Sequence, residues 1–337
     1  MKQFMERAKV IFSYNLVIFL SILVLLWSDV IDMKKTSAQE FHQPMNAALL
    51  GQVVSKKFRR VINAEQVVTL LDAERALSKL EDSSRIIILD ARDFAPHYYW
   101  SHLKDALHSP WRLFTKGRKS GELLDKERLQ AKVQSLGISE QKMVLIYGDW
   151  SQGWGEEARM LWLLEYLGHD RVYVVEGGWQ ALKKSNMKTT WGNSPQVKHS
   201  TWQVQIKEQV RANTDKVRQL LKEKRVSIDA RSQKEYEGAT PYGSDYGGHF
   251  KKSVHLPWKK LLDSSNKLYP PHKLKDIFSA LGLNPDEPVF TYCTGGIRSA
   301  FIYLALREAG YKKAMNYDGS WWAWTSTYPS SSLSDYQ

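Results

Sequence analysis

The chain has 337 residues, of which 43% are hydrophobic and 25% are charged. This composition is typical of soluble globular proteins and excludes a disordered, collagen-like or polytopic membrane protein, and the length predicts about two domains. The net charge is +12, but Lys and Arg are spread along the chain in short runs, which argues against nucleic-acid binding and favours a small anionic substrate.

The N-terminal residues predict a signal peptide or membrane anchor over residues 1–40. Residues 10–27 form an uncharged, mostly apolar run, close to the roughly 20 residues that span a bilayer as a helix. Lys2, Arg7 and Lys9 precede the run, which favours a cytoplasmic N-terminus and a periplasmic or otherwise extracytoplasmic folded part. Small residues at 36–38 suit signal peptidase but lie far from the run, so cleavage and retention as an anchor both remain open.

The rest of the chain is an internal repeat of two copies, since the sequence pattern of residues 63–179 recurs in diverged form in residues 213–321. Each copy begins with an Asn that suits a helix N-cap, and continues with an amphipathic helix and a strand that ends in Asp-Ala-Arg. A second buried strand follows in each, at 143–147 and 289–292, and leads through a loop into a helical pattern. This alternation predicts two α/β domains, each a parallel sheet flanked by helices, with ligands beyond the carboxyl ends of the strands.

The domain boundaries follow from the repeat. We predict a first domain at residues 50–188, a linker at 189–204 and a second domain at 205–330. The linker contains Gly, Asn, Ser and Pro at residues 192–195 and has no apolar periodicity.

Cys293 is the single cysteine, so no intramolecular disulfide can form, the usual zinc spacings are absent, and we expect no metal or organic cofactor. It lies between a buried strand and a helix that we predict to begin near Ser299, where converging backbone N–H groups stabilise an anion and lower the pKa of a thiol. Gly295 and Gly296 let the loop curl, and Arg298 adds a positive charge. A thiolate in such a cradle can accept sulfur from a dianion and hold it as a persulfide.

The repeated units, the Asp-Ala-Arg and Gly-His elements and the Cys-x-x-Gly-x-Arg loop resemble tandem rhodanese sulfurtransferases over roughly residues 50–328. The resemblance implies that Cys293 is the catalytic residue and that the first copy, with Gly148 at the corresponding place, is inactive. It implies transfer of sulfane sulfur from thiosulfate or a related donor to cyanide or a thiol through a Cys293 persulfide. We expect the following loop residues to bind the substrate: Thr294, Gly295, Gly296, Ile297, Arg298 and Ser299.

Three alternatives remain open at this point: a 3-mercaptopyruvate sulfurtransferase, a sulfur carrier that delivers the persulfide to a protein partner, and a cysteine-based phosphatase or arsenate reductase. Four residues separate Cys293 from Arg298, whereas related dual-specificity phosphatases have five, so the loop length favours sulfur over phosphate. Mercaptopyruvate sulfurtransferases usually have an uncharged loop that ends in Val-Thr. Arg298 therefore favours thiosulfate as the donor.

Glu235 departs from the family pattern, because many two-domain rhodaneses have an Arg at this place near the catalytic pocket. A carboxylate there would repel an anionic donor, which leaves the identity of the natural donor open. The other interpretation is that Glu235 is an exposed helix residue.

Four further residues are candidates for the surroundings of the site. His249 is a candidate acid or base, but its counterpart His102 lies in the copy without a nucleophile, which favours a shared structural role. Trp258 is a candidate pocket residue, with core packing as the favoured interpretation. Asp229 and Arg231 stand at a strand end, where we expect a structural ion pair.

Overall fold

The computed structural model of the chain describes residues 60–81, 85–117, 119–185 and 187–331, all of which belong to one compact unit. The predicted signal peptide or anchor at residues 1–40 lies outside the described residues. Within the described ranges, no helix combines the length and the apolar character that a membrane span needs.

The first copy contains a five-stranded parallel sheet whose strand order is β1-β8-β7-β2-β4. Its strands are β1 Val61–Ile62, β2 Ile86–Asp90, β3 His102–Leu103, β4 Ala106–His108, β5 Thr115–Gly117, β6 Ser120–Leu123, β7 Met143–Tyr147 and β8 Val172–Val175. Its helices are α1 Ala64–Glu81, α2 Ala95–Trp100, α3 Lys126–Ser135, α4 Glu156–Tyr166 and α5 Gly178–Lys184.

The second copy repeats the architecture with the sheet order β10-β14-β13-β11-β12, again all parallel. After β9 Thr189–Thr190, its strands are β10 Arg211–Ala212, β11 Ser227–Asp229, β12 Ser253–His255, β13 Val289–Tyr292 and β14 Ala314–Tyr317. Its helices are α6 Thr214–Lys222, α7 Gln233–Tyr236, α8 Pro271–Ala280, α9 Arg298–Glu308 and α10 Ser320–Thr327. The two orders are the same permutation, which confirms the prediction of two α/β units with parallel sheets.

The local sequence accounts for the matching starts of both copies. The side chains of Asn63 and Asn213 each accept a hydrogen bond of 2.9 Å, from the backbone N–H groups of Gln66 and Lys216, and so cap α1 and α6. The central strands β2, β7 and β13 are buried along their whole length, as expected for parallel strands with helices on both faces.

The predicted linker packs against the first copy. Strand β9 pairs antiparallel with β3, and Trp202 and Val204 are buried in the core. The backbone N–H of Val204 also donates to the side chain of Gln130 in α3.

The two copies share one hydrophobic core across the junction of α4 and α9. Every residue of α9 from 298 to 306 is buried, although a helix at a domain surface normally leaves one face to water. The Trp150 ring of the first copy lies 5.0 Å from the Phe301 ring of α9, centroid to centroid. The first copy therefore covers the helix that carries the cysteine loop.

Candidate active site

The cysteine loop occupies residues 293–297, between the end of β13 and the first residue of α9. The backbone N–H of Cys293 donates to the Ser320 hydroxyl at 3.0 Å, and its carbonyl accepts from the N–H of Trp321 at 3.1 Å. Both partners are at the start of α10. The first turn of α10 therefore fixes Cys293 at the carboxyl end of the sheet, directly before α9. The Cys293 side chain is buried.

The Cys293 sulfur is surrounded by groups that favour its thiolate. The backbone N–H of Gly296 donates to Sγ at 3.1 Å, and the Ser299 hydroxyl lies 3.7 Å from Sγ. Burial raises the pKa of Cys293, but the positive charge of Arg298 and the hydrogen bonds from Ser299 and Gly295 outweigh burial and lower it. The thiol is thus more acidic than an ordinary cysteine, as an attacking sulfur needs to be.

Glycine is required at both predicted loop positions. Gly296 has a φ of +83°, and a Cβ there would lie 2.3 Å from the carbonyl oxygen of Asp318. A Cβ on Gly295 would lie 2.3 Å from the ring of Trp322. The next residue, Ile297, is buried in the shared core rather than facing an open pocket.

Arg298 is bound to Glu235 by two short hydrogen bonds, Nη1 to Oε2 at 2.7 Å and Nη2 to Oε1 at 2.8 Å. Thr294 joins the pair, because its hydroxyl donates to Glu235 Oε1 and accepts from Arg298 Nη2, both at 2.7 Å. The Ser232 hydroxyl donates to Oε2 at 2.7 Å. Glu235 is only 2% exposed, so the interpretation as an exposed helix residue is wrong.

The ion pair determines the charge state of both partners. Burial opposes the ionisation of Glu235, but the hydrogen bonds and charge of Arg298 outweigh it and lower the Glu235 pKa to about 2. Burial likewise opposes the charge of Arg298, and the contact with Glu235 raises its pKa above the usual value. At neutral pH the pair is therefore ionised and carries no net charge.

The first copy reaches the loop through Arg159 of α4, a cation that is 1% exposed. Its Nη1 donates to the Gly296 carbonyl at 3.1 Å and its Nη2 donates to the carbonyl of Gly121 in β6. Burial lowers the pKa of Arg159 to about 10, against the opposing attraction of Asp318 and Cys293. Arg159 would still be protonated at neutral pH, so a positive charge from the first copy lies under the cysteine loop.

Aromatic rings from both copies lie over Arg298. The guanidinium carbon is 5.7 Å from the Trp154 ring of the first copy and 5.4 Å from the Tyr242 ring of the second. These two rings are 4.9 Å apart in a T-shaped contact. The sequence motifs miss Arg159 and Tyr242. A lone Arg among the apolar residues of α4 is the one signal that points to the former.

His249 and His102 have matching surroundings. The His249 ring stacks on Tyr236 at 3.7 Å and its Nδ1 contacts the Tyr236 carbonyl at 2.9 Å. The His102 ring stacks on Tyr98 at 3.8 Å, with Nδ1 2.8 Å from the Tyr98 carbonyl. The same contact in both copies assigns His249 to the fold rather than to the reacting sulfur.

The remaining candidates also have packing roles. Arg231 forms a buried ion pair with Asp229 at 2.6 Å, and Arg231 Nη2 donates to the Gly248 carbonyl at 2.7 Å. The first copy has the same pair at its own Asp-Ala-Arg. The Trp258 ring packs on Phe301 of α9 with centroids 4.9 Å apart.

Gly148 stands where the second copy has Cys293, since its carbonyl accepts from the N–H of Trp179 at 2.8 Å. A Cβ on Gly148 would lie 2.0 Å from Oε2 of Glu157, so a buried carboxyl fills the place of the thiol. Burial and the neighbouring Glu156 raise the pKa of Glu157 to about 8. The first copy thus holds a neutral acid where the second holds a nucleophile.

Comparisons with known proteins agree with this geometry. The model of the rhodanese-like domain family matches residues 72–185 and 213–327. A putative thiosulfate sulfurtransferase of Haloferax volcanii is 28% identical over 235 residues, covering 67% of this chain and 81% of the relative. The sulfur carrier protein TtuD of Thermus thermophilus is 26% identical over 268 residues, which cover 76% of this chain and 93% of TtuD.

Solved structures show the same fold at low sequence identity. The Tum1 protein from Saccharomyces cerevisiae superposes with a TM-score of 0.68 at 21% identity, covering 80% of this chain and 96% of that protein. The SseA 3-mercaptopyruvate sulfotransferase from Escherichia coli gives a TM-score of 0.65 at 19% identity, and the match covers 78% of this chain and 99% of SseA. With two family matches across most of its length, the chain belongs to the rhodanese family.

Proposed function

We propose that the chain is a sulfurtransferase that carries sulfane sulfur as a persulfide on Cys293. The observation that carries the proposal is the Cys293 thiol with its lowered pKa, held 3.1 Å from the Gly296 N–H at the start of α9. Family membership and the names of relatives, several of which are thiosulfate sulfurtransferases, support the same reaction.

In the first half-reaction the Cys293 thiolate attacks the outer sulfur of thiosulfate. A bond forms between Sγ and that sulfur, the sulfur–sulfur bond of thiosulfate breaks, and sulfite leaves with the bonding electron pair. The persulfide carries a negative charge on its terminal sulfur. Loop N–H groups at the start of α9 would stabilise this anion as they stabilise the thiolate.

In the second half-reaction a nucleophile such as cyanide or a thiolate attacks the terminal sulfur. Its new bond to sulfur replaces the bond between that sulfur and Sγ, and Cys293 leaves as a thiolate, ready for another donor. The low pKa of Cys293 helps here too, because a more acidic thiol is the better leaving group.

The donor we propose is thiosulfate, with 3-mercaptopyruvate as the alternative. Glu235 balances the charge of Arg298, so the pair attracts a distant anion only weakly, although Arg298 still stabilises the nearby Cys293 thiolate. Among the described residues, no salt bridge joins Arg159 to a carboxylate, so its positive charge remains available under the loop. Asp318 attracts Arg159 but is bound to Arg211, so two cations face one carboxylate here. The remaining positive charge favours a donor with two negative charges over one with a single charge.

A second candidate function is delivery of the persulfide to a protein acceptor. The similarity to the sulfur carrier protein TtuD over 93% of that protein favours it. In this case turnover with cyanide or small thiols would be slow. A cysteine thiolate of a partner protein would instead attack the terminal sulfur, form a persulfide there and release Cys293 as a thiolate.

Steady-state kinetics with thiosulfate and cyanide test the leading proposal. A persulfide intermediate predicts parallel lines in double-reciprocal plots, because sulfite leaves before cyanide reacts. Cys293→Ser should remove all turnover, whereas Ser279→Ala, at an exposed position of α8, serves as the matched control. Intersecting lines, or turnover by Cys293→Ser, would show that sulfur does not pass through this residue.

A further inference from the structure

The first copy and the linker that packs on it expose a group of large hydrophobic side chains that the described fold does not cover. Five of the six large hydrophobic side chains that are exposed in the described part of the chain belong to this group, which we call the aromatic patch. Its members and their exposed fractions are Phe94 56%, Tyr99 46%, Trp100 71%, Leu113 47% and Trp191 81%.

Backbone contacts bring the three segments of the aromatic patch together. The N–H of Gly192, next to Trp191, donates to the Tyr99 carbonyl at 2.9 Å, and β9 immediately before it pairs with β3. Asp93, next to Phe94, binds Arg112 at 2.8 Å and so holds the turn that contains Leu113. The three segments that carry the patch are therefore held next to one another by hydrogen bonds and an ion pair.

The exposed area of the aromatic patch lies at the upper end of what soluble monomers show. Taking about 200 Å² for a whole aromatic side chain, the exposed fractions correspond to roughly 600 Å² of mostly apolar surface. The largest such patch on a typical soluble monomer is about 300–600 Å², and patches of this size commonly bind a partner. Trp and Tyr also carry a polar N–H or O–H group, which suits an interface that is apolar on one side and wet on the other.

The charge around the aromatic patch is strongly positive. Residues 93–117 and 177–200, which contain or adjoin the patch, include seven Lys and Arg residues against two acidic residues, Asp93 and Asp105, and Asp93 is paired with Arg112. Lys104 and Lys188 are exposed neighbours, since the N–H of Lys104 donates to the Lys188 carbonyl at 3.0 Å. A symmetric contact between two copies would press these like charges together, which argues against a second copy as the occupant.

The sequence predicts a membrane segment within reach of this surface. Residues 10–27 are apolar enough to enter a bilayer, and only residues 28–59 separate them from the first described residue, a reach of about 100 Å at full extension. We propose that the aromatic patch rests on the anionic phospholipid surface of the membrane that residues 10–27 enter. Trp100 and Trp191 insert at headgroup depth, and Lys104 and Lys188 contact lipid phosphates.

Hydroxyl-radical footprinting of the full chain in nanodiscs tests this proposal residue by residue. The chain is reconstituted in nanodiscs of pure phosphatidylcholine or of phosphatidylcholine with phosphatidylglycerol, and oxidation of each aromatic residue is measured by mass spectrometry. We expect severalfold less oxidation of Trp100 and Trp191 with the anionic lipid. Tyr242, which is 36% exposed and lies in the second copy, is the internal control and should be oxidised equally in both.

Paired variants separate lipid contact from other causes of protection. The double variant Lys104→Gln, Lys188→Gln should lose the lipid-dependent protection of Trp100 and Trp191. The control double variant Lys222→Gln, Lys275→Gln, at exposed positions of the second copy, should keep this protection. Equal oxidation of Trp100 and Trp191 in both lipids would overturn the proposal. Protection that appears in detergent as protein concentration rises would also overturn it, in favour of an interface between copies.

The proposal is independent of the sulfur chemistry. Trp100→Ala with Trp191→Ala should abolish the lipid-dependent protection of the remaining patch residues Phe94 and Tyr99, while thiosulfate turnover in detergent stays unchanged. Failure of one function is therefore distinguishable from failure of the other.

Discussion

Glu235 and Arg298 form a buried, doubly hydrogen-bonded ion pair beside the catalytic sulfur, with nitrogen–oxygen distances of 2.7 and 2.8 Å. The carboxylate therefore does not repel an anionic donor as an isolated charge would. It instead reduces the positive charge that Arg298 presents to Cys293, and it anchors the loop through Thr294.

Replacing Glu235 by Gln should lower the pKa of Cys293 further, because Arg298 would no longer be neutralised. The pH dependence of Cys293 alkylation by iodoacetamide measures this pKa. Arg298→Ala should shift the midpoint in the opposite direction, since the positive charge is lost. Glu237→Gln, a change at an exposed neighbour, should leave it in place. An unchanged or raised midpoint in Glu235→Gln would refute the electrostatic coupling.

We expect Arg159 of the first copy to act as a positioning residue, because it contacts the Gly296 carbonyl. Arg159→Met should therefore impair sulfur transfer although Arg159 does not contact the substrate. Loss of a charged hydrogen bond to the Gly296 carbonyl is worth about 1.5–3 kcal/mol, so kcat/KM for thiosulfate should fall roughly ten- to a hundredfold. The pKa of Cys293 should rise, a change that a purely structural defect far from the sulfur would not produce.

The matched control for Arg159 is Arg128→Met, which removes an exposed Arg from the same copy. Arg159→Lys should recover the Cys293 pKa more fully than it recovers kcat/KM, because lysine keeps the charge but lacks the two-pronged geometry. Equal activity of Arg159→Met and Arg128→Met would mean that the first copy does not shape the loop.

The Glu235–Arg298 ion pair and the contact between Arg159 and the cysteine loop could not be predicted from the sequence, whereas the fold could. The repeat, the parallel sheets and the cysteine loop could be predicted because each depends on local patterns: strand composition, N-caps and the glycines that follow Cys293. The partner of Arg298 could not, since Glu235 lies 63 residues away and its backbone position alone does not show which charge it faces. The contact of Arg159 is even harder to predict from the sequence, because Arg159 belongs to the first copy and contacts the loop of the second copy across the shared core.

The inactive copy should not gain a nucleophile by a single substitution at Gly148. Gly148→Cys brings its Cβ into the space of the Glu157 carboxyl, and overpacking of this kind lowers the free energy of unfolding by about 1–3 kcal/mol. Combined with Cys293→Ser, it should yield no sulfur transfer. Chemical denaturation and turnover assays check both expectations. Gly117→Ala is the control, because a Cβ there meets no atom within 4 Å.

Wild-type stability after Gly148→Cys, together with thiosulfate turnover in the Cys293→Ser background, would show that the Glu157 carboxyl does not block the vestigial site.

Glu157 should make the protein less stable as the pH rises. Burial, followed by repulsion from Glu156, raises its folded-state pKa from 4.5 to about 8, so the folded state holds a proton that the unfolded state releases. The stabilisation is complete below pH 4.5 and is lost as the pH rises through about 8. Glu157→Gln should therefore lose less stability than wild type between pH 5 and pH 8.5.

Urea unfolding at a series of pH values measures this difference, which amounts to at most about 1.4 kcal/mol per pH unit for one group. Glu127→Gln, an exposed change in α3, should follow the wild-type curve. Identical pH slopes for wild type and Glu157→Gln would mean that Glu157 is ionised in the folded protein.

The most direct measurement is the intact mass of the protein after brief treatment with thiosulfate and removal of excess donor. Cys293 is the only cysteine, so a persulfide should add the mass of one sulfur atom, and fragmentation should place it on this residue. Cyanide should remove the added sulfur, and Cys293→Ser should never acquire it. An unchanged wild-type mass after treatment with either thiosulfate or 3-mercaptopyruvate, or an equal gain in Cys293→Ser, would contradict sulfur transfer through Cys293.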